Sequence, residues 1–164
     1  MIPPMESFFP LDEPTLEWRS TGGMGRRYQL LSKRGPIAEV AFGTRLRRDT
    51  LIATTHQTWR LHGTEKRIEV ASGGPILAAK DPTGTKWLLS DPGLRLEVTN
   101  PWGTDWQWLD DHGNGLIGFR QKGFARLAVS VFLDDAALQH PHTPFLLGLG
   151  FCTLFEKASR ADAA

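Results

Sequence analysis

Two stretches of the chain hold residue types with a recognised chemistry. His140-Pro141-His142 sets two imidazoles at alternate positions, a spacing that holds zinc when a third ligand converges, and Asp134 and Asp135 lie shortly upstream. The proline between the imidazoles and the lack of another Cys or His close by favour a solvated linker, so no metal is expected. Asp110-Asp111-His112 sets carboxylates beside an imidazole, the pairing used in general acid–base catalysis. The run continues through Gly113, Asn114 and Gly115, and turn chemistry accounts for all of these residue types. His56 and His62 sit in a Thr-rich stretch and read as strand residues. There is no Gly-x-Ser-x-Gly elbow and no glycine loop placed between a strand and a helix to cradle phosphate. Gly22-Gly23-Met24-Gly25 is glycine-rich but leads into a strand pattern. A non-enzymatic protein without cofactor is the expectation.

The cations are more informative. Arg45-Leu46-Arg47-Arg48 is the densest cluster, preceded by Arg26, Arg27, Lys33 and Arg34 and followed by Arg120, Lys122 and Arg126. Gathered on one rim, such side chains would hold phosphate headgroups, each contributing about 1 kcal/mol near an anionic leaflet. Trp102, in the turn Asn100-Pro101-Trp102-Gly103, is suited to the membrane interface beside them. Arg26, Arg45, Arg47 and Arg48 are therefore the expected headgroup ligands, with Trp102 as the interfacial aromatic. The plain alternative is a set of solvated strand ends with Trp102 folded back on the core. Two further functions remain open: a protein-interaction or assembly module, including a homo-oligomer, and nucleic-acid binding through the same arginines. The last is disfavoured, because 19 basic residues against 18 acidic leave a net charge of only +1.

These residues must be positioned by short strands. Seventeen Gly and eleven Pro punctuate short apolar stretches, the pattern of an all-β domain rich in turns. Tyr28 and Leu30 turn at Lys33-Arg34-Gly35 and return through Ile37 and Val40. Trp59 and Leu61 are followed by Ile68 and Val70, Trp87 and Leu89 by Leu94, Leu96 and Val98, and Trp106 and Trp108 begin a looser copy. Each hairpin buries one face and leaves Glu39, Glu69 or Glu97 toward water. The stretch from Asp49 to Leu61 is long for one strand and should be interrupted near Thr54-Thr55.

One segment differs. From Phe145 to Phe155 apolar side chains cover every side of a helical wheel, so a helix there has no face for water. Thr143 and Pro144 suit its start, Gly148, Gly150 and Cys152 keep it slim, and Lys157 and Arg160 follow at its negative end. Its core of roughly 17 Å is too short for a bilayer of about 30 Å, so it must be hidden inside protein. Ten to twelve strands closed into a barrel abolish exposed edges and leave an axial space for such a helix. The expected architecture is thus mainly β: a closed antiparallel β-barrel of about 12 short strands, residues 15–157, around a core helix at 143–157. An N-terminal arm (1–14) precedes it and a disordered tail (158–164) follows. The single Cys152 allows no internal disulfide, and the N-terminus has neither the basic start nor the apolar run of a signal peptide. A cytoplasmic protein, peripheral to a membrane and without a transmembrane span, is the expectation.

In this layout the chain resembles the tubby C-terminal-like superfamily, which includes tubby proteins, phospholipid scramblases and LURP-one-related proteins. The residues that carry the resemblance are Val129-Ser130-Val131-Phe132-Leu133-Asp134-Asp135 as last strand and turn, then Pro144 to Phe155 as core helix, ending Phe155-Glu156. The hairpin rhythm from Trp87 to Phe119 is similar to that of bacterial LURP-one-like members. The resemblance implies a barrel closed around a C-terminal hydrophobic helix, and binding more than catalysis. Beyond Asp134 and Asp135 no acidic calcium loop matches, and no Lys and Arg pair matches the phosphoinositide ligands, so neither activity is carried over.

Overall fold

The computed structural model describes residues 15–21, 27–43, 49–54, 57–62, 67–70, 76–80, 87–89, 93–101, 103–122, 128–140 and 142–163. They form twelve strands and two helices: β1 (Thr15–Ser20), β2 (Arg27–Ser32), β3 (Gly35–Ala41), β4 (Thr50–Thr54), β5 (Thr58–His62), β6 (Arg67–Val70), β7 (Ile76–Lys80), β8 (Trp87–Leu89), β9 (Arg95–Val98), β10 (Asp105–Leu109), β11 (Gly115–Lys122), β12 (Ala128–Leu133), α1 (Asp135–Gln139) and α2 (Thr143–Ala163).

Strict alternation of apolar and polar residues sets which side of each strand turns inward. In β1, Leu16 and Trp18 are buried while Thr15 and Arg19 are exposed; in β12, Val129, Val131 and Leu133 are buried and Phe132 faces out. All pairings are antiparallel, in the order β8-β7-β6-β5-β4-β3-β2-β1-β12-β11-β10-β9. Thr54 and Gln57 bond each other where the Thr-rich stretch divides into the paired strands β4 and β5. Gly35, with φ of 113°, turns β2 into β3 where other residues would be strained.

The hairpin expected from Trp87–Leu89 and Leu94–Val98 does not form. Instead β8 pairs with β7, and β9 pairs with β10, where Leu96 and Val98 stand opposite Trp108 and Trp106. The two large indoles of β10 give β9 a better inward-facing partner than the three residues of β8. No ladder joins β8 to β9 among the described residues, so backbone pairing leaves two sheet edges there.

The inward faces meet on α2. Leu146, Leu147, Leu149 and Phe151 have no exposed surface, and Phe145, Cys152 and Leu154 have almost none. Burying seven such side chains contributes on the order of 10–20 kcal/mol. Contacts climb the helix in order: Phe145 against Trp59 of β5, Gly148 against Ile52 of β4, Gly150 against Phe119 and Trp108, Phe151 flat on Trp18 at 4.7 Å, and Phe155 stacked on Phe42 at 3.9 Å. Two indoles also hold it by hydrogen bonds, Trp108 Nε1 donating to the Leu146 carbonyl (2.9 Å) and Trp87 Nε1 to the Thr153 hydroxyl (3.1 Å).

The start of α2 differs from expectation. The buried Thr143 hydroxyl donates to the Ala137 carbonyl of α1, tying the two helices together, instead of acting only as a helix cap. α1 is too short to show in the sequence pattern, although Asp134 caps it, its carboxylate accepting from the Ala136 amide. α2 also continues to Ala163, past the 157 boundary, where a disordered tail was expected.

Cys152 lies fully inside this core, and burial pushes its thiol far above the ordinary value, with Glu156 acting in the same direction. A thiol held protonated is a poor nucleophile. Iodoacetamide should leave the native protein unlabelled and modify Cys152 only in denaturant; rapid labelling under native conditions would place the thiol at the surface.

Candidate functional site: the two ends of the sheet

In an antiparallel meander, successive connections leave alternate ends of the sheet. One end is marked by Ser20 opposite Tyr28, Arg27 opposite Ala41, His62 opposite Arg67, Lys80 opposite Trp87, and Lys122 opposite Ala128. The strand ends flanking residues 21–26, 42–49, 63–66, 81–86, 99–104 and 123–127 all lie here. The other end is flanked by residues 33–34, 55–57, 71–75, 90–94, 110–114 and 134–142, and α2 starts from it.

The charges divide with the ends. The first set of connections holds seven basic residues (Arg26, Arg45, Arg47, Arg48, Lys66, Lys86, Arg126) against three acidic ones (Asp49, Glu65, Asp81). The second holds two basic residues (Lys33, Arg34) against five acidic ones (Asp91, Asp110, Asp111, Asp134, Asp135). By sequence, the connections that join one end are thus net basic and those that join the other net acidic, and the ends are named cationic and anionic on that ground alone. Strand spacing alone hides this, because it emerges only when connections are sorted by the end they join.

Arg26, Arg45, Arg47, Arg48 and Trp102 all lie outside the described residues. All five belong to connections whose flanking strands end at the cationic end. Around Trp102, the Asn100 carboxamide accepts from the Thr104 and Asp105 amides at 3.0 and 3.2 Å, and the Trp106 indole donates to the Gly103 carbonyl. Those bonds fix the flanks of the turn. Several described cations at this end already face carboxylates: Arg27 lies 3.5 Å from Glu39, Arg120 lies 3.3 Å from Asp105, and Asp49 lies within 4 Å of both Arg60 and His62. Exposed pairs of this kind are individually weak and screened by salt.

At the anionic end, Asp110 behaves as a turn residue. Its carboxylate accepts from the amides of His112 (2.9 Å) and Asn114 (2.8 Å), while Gly113 takes a φ of 82°. The bond from the Asn114 amide is the main cause that holds the Asp110 carboxyl below its ordinary value of 3.8; desolvation, the next largest effect, opposes it, and the His112 amide adds to the lowering. A lowered folded value means that the turn is held fully above pH ~4 and loses this support as pH falls through the lower, folded value. An NMR titration of the Asn114 amide should give a midpoint below that of a free aspartate, and a midpoint at or above 3.8 would contradict the turn assignment.

The His140 ring accepts the His142 amide at its Nδ1, a local bond inside the linker. Among the described residues no three His, Cys, Asp or Glu side chains converge in a way that could hold a metal ion. No described helix is long and apolar enough to cross a membrane. Compared with known proteins, the chain matches no family model, no curated protein and no solved structure.

Proposed function

We propose that this chain is a non-enzymatic, tubby-like β-barrel that binds anionic phospholipid headgroups end-on at its cationic end, as a peripheral membrane protein. Arg26, Arg45, Arg47 and Arg48 would bind the phosphates, with Trp102 at the interface beside them. The observation that carries the reading is the sorting of basic and acidic residues between the connections that join the two ends, an arrangement that would aim a positive field at a membrane and turn the acidic connections away from it. Closure of the barrel is part of the same proposal. It is supported by the approach of β8 and β9 to within 8 Å between Cα atoms, and by helix contacts reaching strands from β1 to β11.

Flotation with vesicles tests it. The protein should float with vesicles containing phosphatidylserine or a phosphoinositide, not with phosphatidylcholine alone, and should be released as salt rises. No flotation at low salt would refute the proposal. A second reading, a protein-assembly module, is favoured by one observation: two of the three exposed large apolar residues among the described residues, Leu88 at 59% and Val98 at 39%, lie on the sheet's edge strands. Light scattering separates the two, since the assembly reading requires a species larger than the monomer. Binding of a DNA duplex with steep salt dependence, and none of vesicles, would instead assign the same arginines to nucleic acid.

A further inference from the structure

The outer face of β10, β11 and β12 has a depression that runs along the strands between the two ends. Gly118 of β11 stands between Gln107 on β10 and Phe132 on β12, so the middle of three outward rows lacks a side chain. A cavity of about 380 Å³ opens over it. It runs along the strands from Asp105 and Arg120 at one end to Gly115 and Asp134 at the other, roughly 17 Å at the usual strand rise. Phe132 forms one wall and is 43% exposed, with the Arg120 guanidinium 5.8 Å over its ring. Arg120 in turn donates to both Asp105 carboxylate oxygens, at 3.3 and 3.5 Å. The Gln107 carboxamide lies against Gly115, where any Cβ would collide with it.

The lining narrows the class of occupant by elimination. β10, β11 and β12 are each paired on both sides, so no free backbone remains to receive an extended peptide as an added strand. Arg120 is matched by Asp105, and Asp134 adds a further negative charge, so an anion has no advantage here. The depression is shallow and open, and a site of that shape does not bury the surface of an apolar ligand. A neutral polyhydroxylated ring meets all of these conditions. Its C–H face packs on the Phe132 ring, and its hydroxyls bond the carboxylate, guanidinium and carboxamide, which are planar groups that present paired donors or acceptors. Hydroxyls that point outward stay hydrated at no cost.

We propose that this groove is a binding site for a short neutral oligosaccharide. The test is an NMR titration of the isotopically labelled protein with maltotriose, cellotriose and tri-N-acetylchitotriose. At least one of them should shift the Gly115 and Gly118 amides and the Gln107 carboxamide saturably, with a midpoint on the order of 1 mM. Phe132→Ala should weaken that binding tenfold or more. Gly118→Val should abolish it by filling the groove, and the fold tolerates this change, since a Cβ at Gly118 meets only Phe132 at an ordinary 3.8 Å and valine favours strands. Absence of saturable shifts with all three sugars, or unchanged shifts in Gly118→Val, would overturn the assignment.

Discussion

Gly150→Leu should lower the stability of the protein by about 1–3 kcal/mol or more, and Gly150→Ala should also be destabilising. A Cβ at this position would stand 2.5 Å from Phe119 Cζ and 2.9 Å from Trp108 Nε1. Neither group yields easily. Both side chains are buried, and the Trp108 indole is held by its bond to the Leu146 carbonyl one turn earlier on the same helix. The alanine variant is the sharper probe, because on a solvated helix Gly→Ala would stabilise by about 1 kcal/mol through helix propensity. The sign of the change in denaturant midpoint therefore reports whether the sheet grips α2. A stabilised Gly150→Ala would mean that it does not.

The second large effect concerns vesicle binding. Replacing Arg45, Arg47 and Arg48 together by Glu should reduce binding to anionic vesicles by about two orders of magnitude, since each cation removed from an anionic surface forfeits about 1 kcal/mol before repulsion is added. Lys33→Glu with Arg34→Glu makes a comparable change at the opposite end, in the tight β2–β3 turn, and should leave binding nearly intact. Equal losses from both sets would show that binding follows total charge and not orientation. Flotation across a series of protein concentrations measures both on one scale.

Much of this architecture was legible in the residues themselves. The wholly apolar run from Phe145 to Phe155 admits no water-facing side, and it is the core of α2. Alternation around Leu16, Leu30, Val40 and Val131 fixed which strand faces turn inward, because in a strand the side chains alternate between faces. Strand partnership was less legible. Trp87–Leu89 and Leu94–Val98 have the pattern of a hairpin, but partnership depends on which indoles lie across the sheet, and Trp106 and Trp108 are nearer in structure than pattern conveys. The candidate arginines illustrate a different difficulty. Arg26, Arg45, Arg47 and Arg48 lie outside the described residues, and only counting strands shows that the connections holding them join one end of the sheet. The groove at Gly118 had no signal at all, since a single glycine in a strand reads as a weak spot until its two neighbours across the ladder are known.

The order of these elements along the chain bears on how the protein comes to exist. α2 fills the core but follows all twelve strands, and β1 must find β12, whose partner residues Leu16 and Val131 lie far apart in sequence. During synthesis the hairpins therefore emerge with their apolar faces and edges uncovered, and no complete core is available until α2 has left the ribosome. Topologies that depend on such distant contacts fold slowly and expose sticky surface while they wait. Folding of this domain thus waits on the emergence of α2, and the uncovered apolar faces of its hairpins are the surface exposed during that delay.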